Sequence, residues 1–276
     1  MNIVSVVPEV AYGVLQQDQS NSMIEEVTEQ VRRVGYAILD SGLTGKELTE
    51  ISNDFDQVRM NYLQIWGEER LRSLGEIHIV RAMVTTGRSS FMQLVMNRNL
   101  LAMLGILIIG KFILNQQNGI INPSGETYSQ GIWHRDLPYQ HYISSSPLAV
   151  NALFCVDDFT LENGSTYVLP ASHKSAAFPS KAYIRKNAVQ VEAKAGQFIV
   201  MDSMLFHCGG VNRTMENRRS INHVYSIPYF KQQIKLSTAL EVNLLSLEEQ
   251  EILGFSFQEP ESIKRYLDTR AKAIRE

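Results

Sequence analysis

The chain has 276 residues, 26 Lys+Arg against 29 Asp+Glu, a formal charge of −3, 44% hydrophobic and 20% charged residues. That balance suits a globular protein with a sizeable core and excludes intrinsic disorder, a collagen repeat and a small disulfide scaffold. A slightly acidic chain offers no basic footprint for a phosphate backbone, so no nucleic-acid partner is expected. Two cysteines, Cys155 and Cys208, set no disulfide framework. With no charged n-region and long apolar h-region at the N-terminus, both read as reduced thiols in a cytoplasmic protein. The longest apolar run, Leu100 to Ile109, is interrupted by Gly105 and is shorter than the roughly 20 residues of a membrane span, so no membrane partner is expected.

Taken in chain order, the first third reads as helical, about residues 20–108. Ser22 to Glu25 spells a capping box, after which Ile24, Val27, Val31 and Val34 recur at helical spacing up to Gly35. Tyr36 to Leu39 is expected as a short strand. Thr44 to Glu47 is a second capping box, opening a helix with Leu48, Ile51, Phe55, Val58 and Tyr62 on one face. Asn97 to Leu107 is a further helix with Leu100, Leu101 and Leu104 as its buried stripe.

From about residue 110 to 230 the period shortens. Phe112 to Leu114, Ala149 to Val156, Thr166 to Leu169, Val189 to Glu192, Phe198 to Met201 and Ile221 to Ile227 are short apolar or alternating runs separated by Gly, Pro and Asn. Asn163-Gly164 is the strongest hairpin signal among them. A helical tail follows at about 245–276, with a third capping box at Ser246 to Glu249 and an apolar stripe of Ile263, Tyr266 and Leu267. The pattern predicts one domain, mainly β with flanking helices, built on a sandwich or jelly-roll barrel.

His134 and Asp136 stand two apart, which on a strand puts both side chains on one face. His207 follows the Phe198 to Asp202 strand, 71 positions after Asp136. Two imidazoles and one carboxylate on one face of an octahedral ion leave three positions open, the arrangement of non-haem Fe(II) oxygenases. The His-x-acid pair alone has a second reading, a surface turn with a helix-capping aspartate. Arg218, eleven places after His207 and at the start of an apolar strand, would be costly inside a barrel unless it met an anion. A carboxylate satisfies that need, and Ser220 on the same face can add a hydroxyl. Alternatively Arg218 and Arg219 are solvated strand-edge charges; neighbours on a strand face opposite ways, so at least one of the two is expected to be solvated.

Four blocks occur in order: Ser129 to Asp136, Leu161 to Lys174, Ala195 to Asp202, and His207 through Asn212 to Ser220. Together they resemble the phytanoyl-CoA dioxygenase family of Fe(II)/2-oxoglutarate oxygenases, over about residues 110–230. The resemblance implies a double-stranded β-helix of the cupin-like kind. It implies that His134, Asp136 and His207 bind Fe(II), that Arg218 holds the distal carboxylate of 2-oxoglutarate with Ser220 beside it, and that O₂ is the second cosubstrate. Gln117, or Gln116 with a slip of register, is expected at the cosubstrate's other contact. The presence of Asp136 favours hydroxylation over halogenation. A small-molecule substrate, natural-product or sugar-like and free or carrier-bound, is expected against Trp133, Tyr139, His141 and Tyr142, although these aromatics equally suit barrel packing. Desaturation, epimerisation or cyclisation uses the same machinery. The rival from another class is a cupin-like metal isomerase or binding module that does not oxidise. No feature of the sequence fixes an oligomeric state.

Overall fold

A computed structural model describes residues 7–137 and 142–273. Helix α1 (Met23–Val34) begins where the Ser22 hydroxyl oxygen accepts the Glu25 N–H, and the Glu25 carboxylate reaches back to the N–H of Asn21 rather than of Ser22. It ends at Gly35, whose φ of +92° and close packing against Leu205 and His173 leave no room for a Cβ. Strand β1 (Tyr36–Asp40) follows, then helix α2 (Gly45–Trp66), opened by a complete capping box between Thr44 and Glu47. Helix α3 (Glu68–Ser73) and strand β2 (Ile79–Val80) lead to helices α4 (Ser89–Val95) and α5 (Arg98–Leu107).

The stretch Ser89–Leu107 is long and apolar enough to cross a membrane by length and composition alone. It is divided at Asn97, whose side chain accepts the Leu100 N–H and starts α5 anew. Phe91, Leu94, Val95, Leu100, Met103 and Leu104 are fully buried in the core.

The remaining strands are β3 (Ile113–Asn122), β4 (Ala149–Cys155), β5 (Tyr167–Val168), β6 (Val189–Gln190), β7 (Gln197–Asp202), β8 (His207–Cys208) and β9 (Arg218–Ser226), with helix α6 (Lys181–Asn187) between β5 and β6. Helices α7 (Leu247–Ile252) and α8 (Ile263–Ala273) close the chain; Ser246 and Glu249 form the expected capping box of α7. The strands make a six-stranded antiparallel sheet in the order β1-β7-β4-β9-β3-β2 and a three-stranded one in the order β6-β5-β8. This is the jelly-roll architecture. Two strands of the large sheet, β1 and β2, come from the helical N-terminal third, so the barrel is not confined to residues 110–230.

Alternation along each strand sends apolar side chains to both faces of the large sheet, and each face builds its own core. On the helix side, Ala37, Leu39, Val150, Ala152, Phe154, Phe198, Val200, Ile221 and Tyr225 pack with Phe55 of α2 and with α4 and α5. On the side facing the small sheet, Leu153, Cys155, Ile199 and Met201 pack with Phe159, Val168, Val191 and Leu205. The second face also carries polar residues toward one end, and there the site lies.

The expected hairpin at Asn163-Gly164 does not form. Strand β4 pairs with β7 and β9, and β5 pairs with β6 and β8. Asn163 instead closes a turn on Thr160 and Asp158. Gly164 (φ +71°) is required because a Cβ would sit 2.5 Å from the Gly210 carbonyl oxygen.

Candidate metal centre

His134 and His207 lie opposite each other as an isolated antiparallel bridge, exchanging N–H···O bonds of 3.0 and 3.1 Å. Their rings stand 4.4 Å apart between centroids. The Asp136 N–H donates to the Ser203 carbonyl at 3.1 Å, which brings its carboxylate to the same place. One ligand atom each from His134, Asp136 and His207 lies within 4.8 Å of the others, and Asp136 Oδ1 is 3.8 Å from His207 Nε2. His134 Nδ1 faces the Ile132 carbonyl at 2.7 Å and His207 Nδ1 faces the Leu205 carbonyl at 3.0 Å. A carbonyl only accepts, so in each neutral ring Nδ1 carries the proton and Nε2 is left as a lone-pair donor. Burial lowers the His207 pKa, as does His134, while Asp136 opposes the shift; the imidazole is thus kept in its metal-binding form. The donor set of two Nε2 atoms and one carboxylate fits a divalent transition ion such as Fe(II).

Two neighbours absent from the sequence reading hold this geometry. Asn151 of β4 donates its Nδ2 to Asp136 Oδ2 and so orients the carboxylate. Arg135, buried between the two first ligands, donates to the carbonyls of Met204 (2.7 Å), Ser172 (3.1 Å), Ala176 (3.2 Å) and Ser175, with its guanidinium 3.8 Å over the Phe206 ring. It ties the segment bearing His134 and Asp136 to the loop that delivers His207. Neither residue had a legible signal, because each acts through a partner more than ten positions away.

The large-sheet face beyond the triad presents Asn151 and Leu153 of β4, Met201 of β7, and Arg218, Ser220 and Asn222 of β9 to a common cavity with His134, His207 and Tyr128. The two arginines separate as strand alternation requires. Arg219 turns to the helix side, where it meets Asp157 (2.6 Å) and Asp56 of α2 (2.8 Å). Arg218 turns inward, only 3% exposed, with its guanidinium 3.7 Å over the Phe159 ring. Among the described residues its Nε and Nη1 have no hydrogen-bond partner. Burial pulls its pKa below the ordinary guanidinium range, a cost that a carboxylate in the cavity would offset. Ser220 lines the same cavity, its hydroxyl donating to the Ile120 carbonyl at 3.3 Å.

Other expected site residues lie elsewhere. Gln117 is on the helix-facing side of β3, fully buried, with Nε2 bonded to the Phe91 carbonyl (2.9 Å) and to His223 Nε2 (2.8 Å); strand parity and its pairing with His223 take it away from the cavity. Gln116 has the opposite parity but does not line the cavity. Trp133 points to the back of the ligand segment, where it meets Phe178 (6.4 Å) in a stack that continues to Phe206 (4.8 Å) and Arg135. Tyr142 is half-buried, and its hydroxyl has no partner among the described residues. Tyr139 and His141 lie outside the described residues.

Comparison with known proteins agrees with this architecture. The chain is 32% identical over 227 residues to the uncharacterized protein Rv1501 of Mycobacterium tuberculosis, covering 80% of this chain and 82% of that one. It is 34% identical over 116 residues, 39% of this chain and 37% of the relative, to dioxygenase af480 of Aspergillus fumigatus. In fold it resembles EctD from S. alaskensis, solved with 2-oxoglutarate and 5-hydroxyectoine, at a TM-score of 0.64 and 17% identity over 77% of this chain and 80% of that one. It also resembles the epimerase SnoN in complex with Fe3+, alpha ketoglutarate and nogalamycin RO, at a TM-score of 0.55 and 20% identity over 79% and 90% of the two chains. The phytanoyl-CoA dioxygenase (PhyH) family model matches residues 31–220, a span that contains the three ligands, the inward arginine and both faces of the large sheet; the chain belongs to that family.

Proposed function

We propose that this family member is an Fe(II)/2-oxoglutarate-dependent oxygenase that hydroxylates a C–H bond of a small-molecule metabolite. The observation that carries the reading is the buried Arg218 guanidinium, its Nε and Nη1 unpartnered among the described residues, in the same cavity as the ligands His134 and His207. A metal-binding barrel that does not oxidise has no use for a buried cation aimed at a second anion. His134, Asp136 and His207 would hold Fe(II), and Arg218 with Ser220 would hold the distal carboxylate of 2-oxoglutarate. Bound there, Fe(II) would supply activation of O₂ coupled to conversion of 2-oxoglutarate to succinate and CO₂. The protein's part is to orient: Nδ1–H bonds fix the imidazoles, Asn151 fixes Asp136, and the apolar walls of Leu153 and Met201 exclude water from the cosubstrate's path.

A small-molecule substrate is supported by two fold neighbours solved with such ligands, EctD with 5-hydroxyectoine and SnoN with nogalamycin RO. The substrate is natural-product or sugar-like, free or carrier-bound; desaturation, epimerisation and cyclisation are the alternative outcomes of the same centre. Both cysteines are free and buried, which supports a cytoplasmic location.

The test is anaerobic. Fe(II) followed by 2-oxoglutarate should give the visible charge-transfer band of a chelated ketoacid, lost in Asp136→Ala. In Arg218→Ala, Fe(II) should stay while 2-oxoglutarate affinity falls by about 10- to 100-fold, the worth of a charge-assisted hydrogen bond; an unchanged affinity would place the carboxylate elsewhere. Iron binding with no band in the wild type would favour the isomerase or binding module instead. Succinate release then screens substrates.

A further inference from the structure

The two glycines that follow the third ligand, Gly209 and Gly210, ask for separate explanations. Gly210 packs against the Ser165 carbonyl oxygen, 2.7 Å from where its Cβ would stand. Gly209 faces a side chain. A Cβ there would lie 1.7 Å from the Tyr128 hydroxyl oxygen and 2.6 Å from Cζ, distances no structure tolerates. Gly209 has no positive φ, so conformation does not require it; the phenol does. The backbone locks this contact in place: Gly209 N–H donates to the Gln130 carbonyl at 2.8 Å, and Gly131 N–H donates to the Tyr128 carbonyl at 3.0 Å. A stretch bridged to β8 at His134 and His207 therefore also carries a tyrosine whose hydroxyl end abuts the glycine two residues beyond the ligand.

What the tyrosine reaches is Arg218. Its hydroxyl is 3.5 Å from Nη2, at the edge of hydrogen bonding, and both residues line the cavity with His134 and His207. The other two guanidinium nitrogens have no partner among the described residues. Nη2 donates to the phenol oxygen, and arginine has no acceptor to take the phenol's own proton, so the O–H is free to turn with the N–H groups toward one shared acceptor. Burial pushes the phenol pKa up, which keeps that proton on.

We propose that the Tyr128 hydroxyl, seated by Gly209, is a second donor to the anionic group that Arg218 binds, so that carboxylate selection in this chain is a guanidinium–phenol pair. The inference rests on the oxygenase reading, in which that anion is the distal carboxylate of 2-oxoglutarate. Ser220 is the weaker third contributor, since its hydroxyl is already directed at the Ile120 carbonyl.

The experiment is the same anaerobic Fe(II) titration, with two ketoacids: 2-oxoglutarate, and 2-oxovalerate, which has a methyl group where the distal carboxylate would be. Tyr128→Phe should bind Fe(II) as the wild type does and weaken 2-oxoglutarate by about tenfold or more, the loss expected for a hydrogen bond to a charged group. It should leave the affinity for 2-oxovalerate unchanged, because the lost proton has nothing there to meet. Gly209→Ala should also weaken 2-oxoglutarate, by displacing the phenol. Equal 2-oxoglutarate affinity in Tyr128→Phe and wild type overturns the assignment of Tyr128 and leaves the oxygenase reading intact. Equal loss for both ketoacids overturns it too, showing a general packing role. No band in the wild type overturns the oxygenase reading and this inference with it.

Discussion

Both ligand imidazoles commit their Nδ1–H to the carbonyl two residues earlier, Ile132 for His134 and Leu205 for His207. The local i, i−2 geometry means each ring is aimed by its own segment before any ion arrives, so little ordering entropy remains to be lost on binding. The carboxylate is different. Asp136 is aimed by Asn151, from another strand, and that long-range bond is the weak point of the set. Asn151→Ala should lower Fe(II) affinity by about 10- to 100-fold while the protein remains folded, as read by competition with a chromophoric chelator. An affinity equal to the wild type would show that the carboxylate finds its position unaided.

At the scale of elements, strand parity separated residues that stand together in sequence. Arg218 and Arg219 went to opposite faces, and with them went Ser220 inward and His223 outward. Gln117 and His223 meet across β3 and β9 on the helix side: His223 Nδ1 donates to the Ala152 carbonyl at 3.1 Å, and Nε2 accepts from Gln117. Both ring nitrogens are used in the neutral form, and burial pushes the pKa down to about 4. The unfolded chain takes up this proton near pH 6.5 and the folded one does not, so stability is lost as pH falls from about 6.5 to about 4. The loss approaches about 3 kcal/mol at the lower end. His223→Gln should flatten the pH dependence of urea midpoints over that window; an unaltered slope would mean that other groups set the acid limit.

Much of this level was legible. The caps at Ser22, Thr44 and Ser246 mark three helix starts because capping is local chemistry. The grouping of His134, Asp136 and His207 and the inward burial of Arg218 were legible once the family resemblance was added to spacing and charge, which alone left each with a second reading. The hairpin at Asn163-Gly164, the face of Gln117 and the roles of Asn151, Arg135 and Tyr128 were not. Each depends on which strand lies beside which: the pairing of β4 with β9 and of β5 with β8 is set by packing across scores of residues, and no local pattern encodes it.

For the whole molecule, the large sheet is a partition. One side is filled by helices and gives a broad apolar core; the other is filled only partly, by the small sheet, and the remainder is the cavity. The inner face carries a buried arginine and three asparagines, Asn122, Asn151 and Asn222, whose side-chain amide oxygens have no partner among the described residues. The N-terminal third belongs to both jobs, since it supplies α2 to the core and β1 to the sheet.

The bridge between His134 and His207 has a mechanical meaning at this scale. These residues are the last rung of the small sheet, and their side chains are also two of the three metal ligands. An ion held there is a buckle on the edge of a sheet only two residues deep per strand, and closing it ties the His134 segment to the rung of β8 that carries His207. Loading to 100 times the dissociation constant should add about 3 kcal/mol to unfolding, several degrees in melting temperature for a chain of this length. Slowed amide exchange should centre on His134 and His207 and fade toward β6. If chelation leaves both amides as slow as before, the strap holds without its buckle. If they open together, iron supply governs when this end of the barrel is shut, and the protein's endurance in a cell follows the metal as closely as its chemistry does.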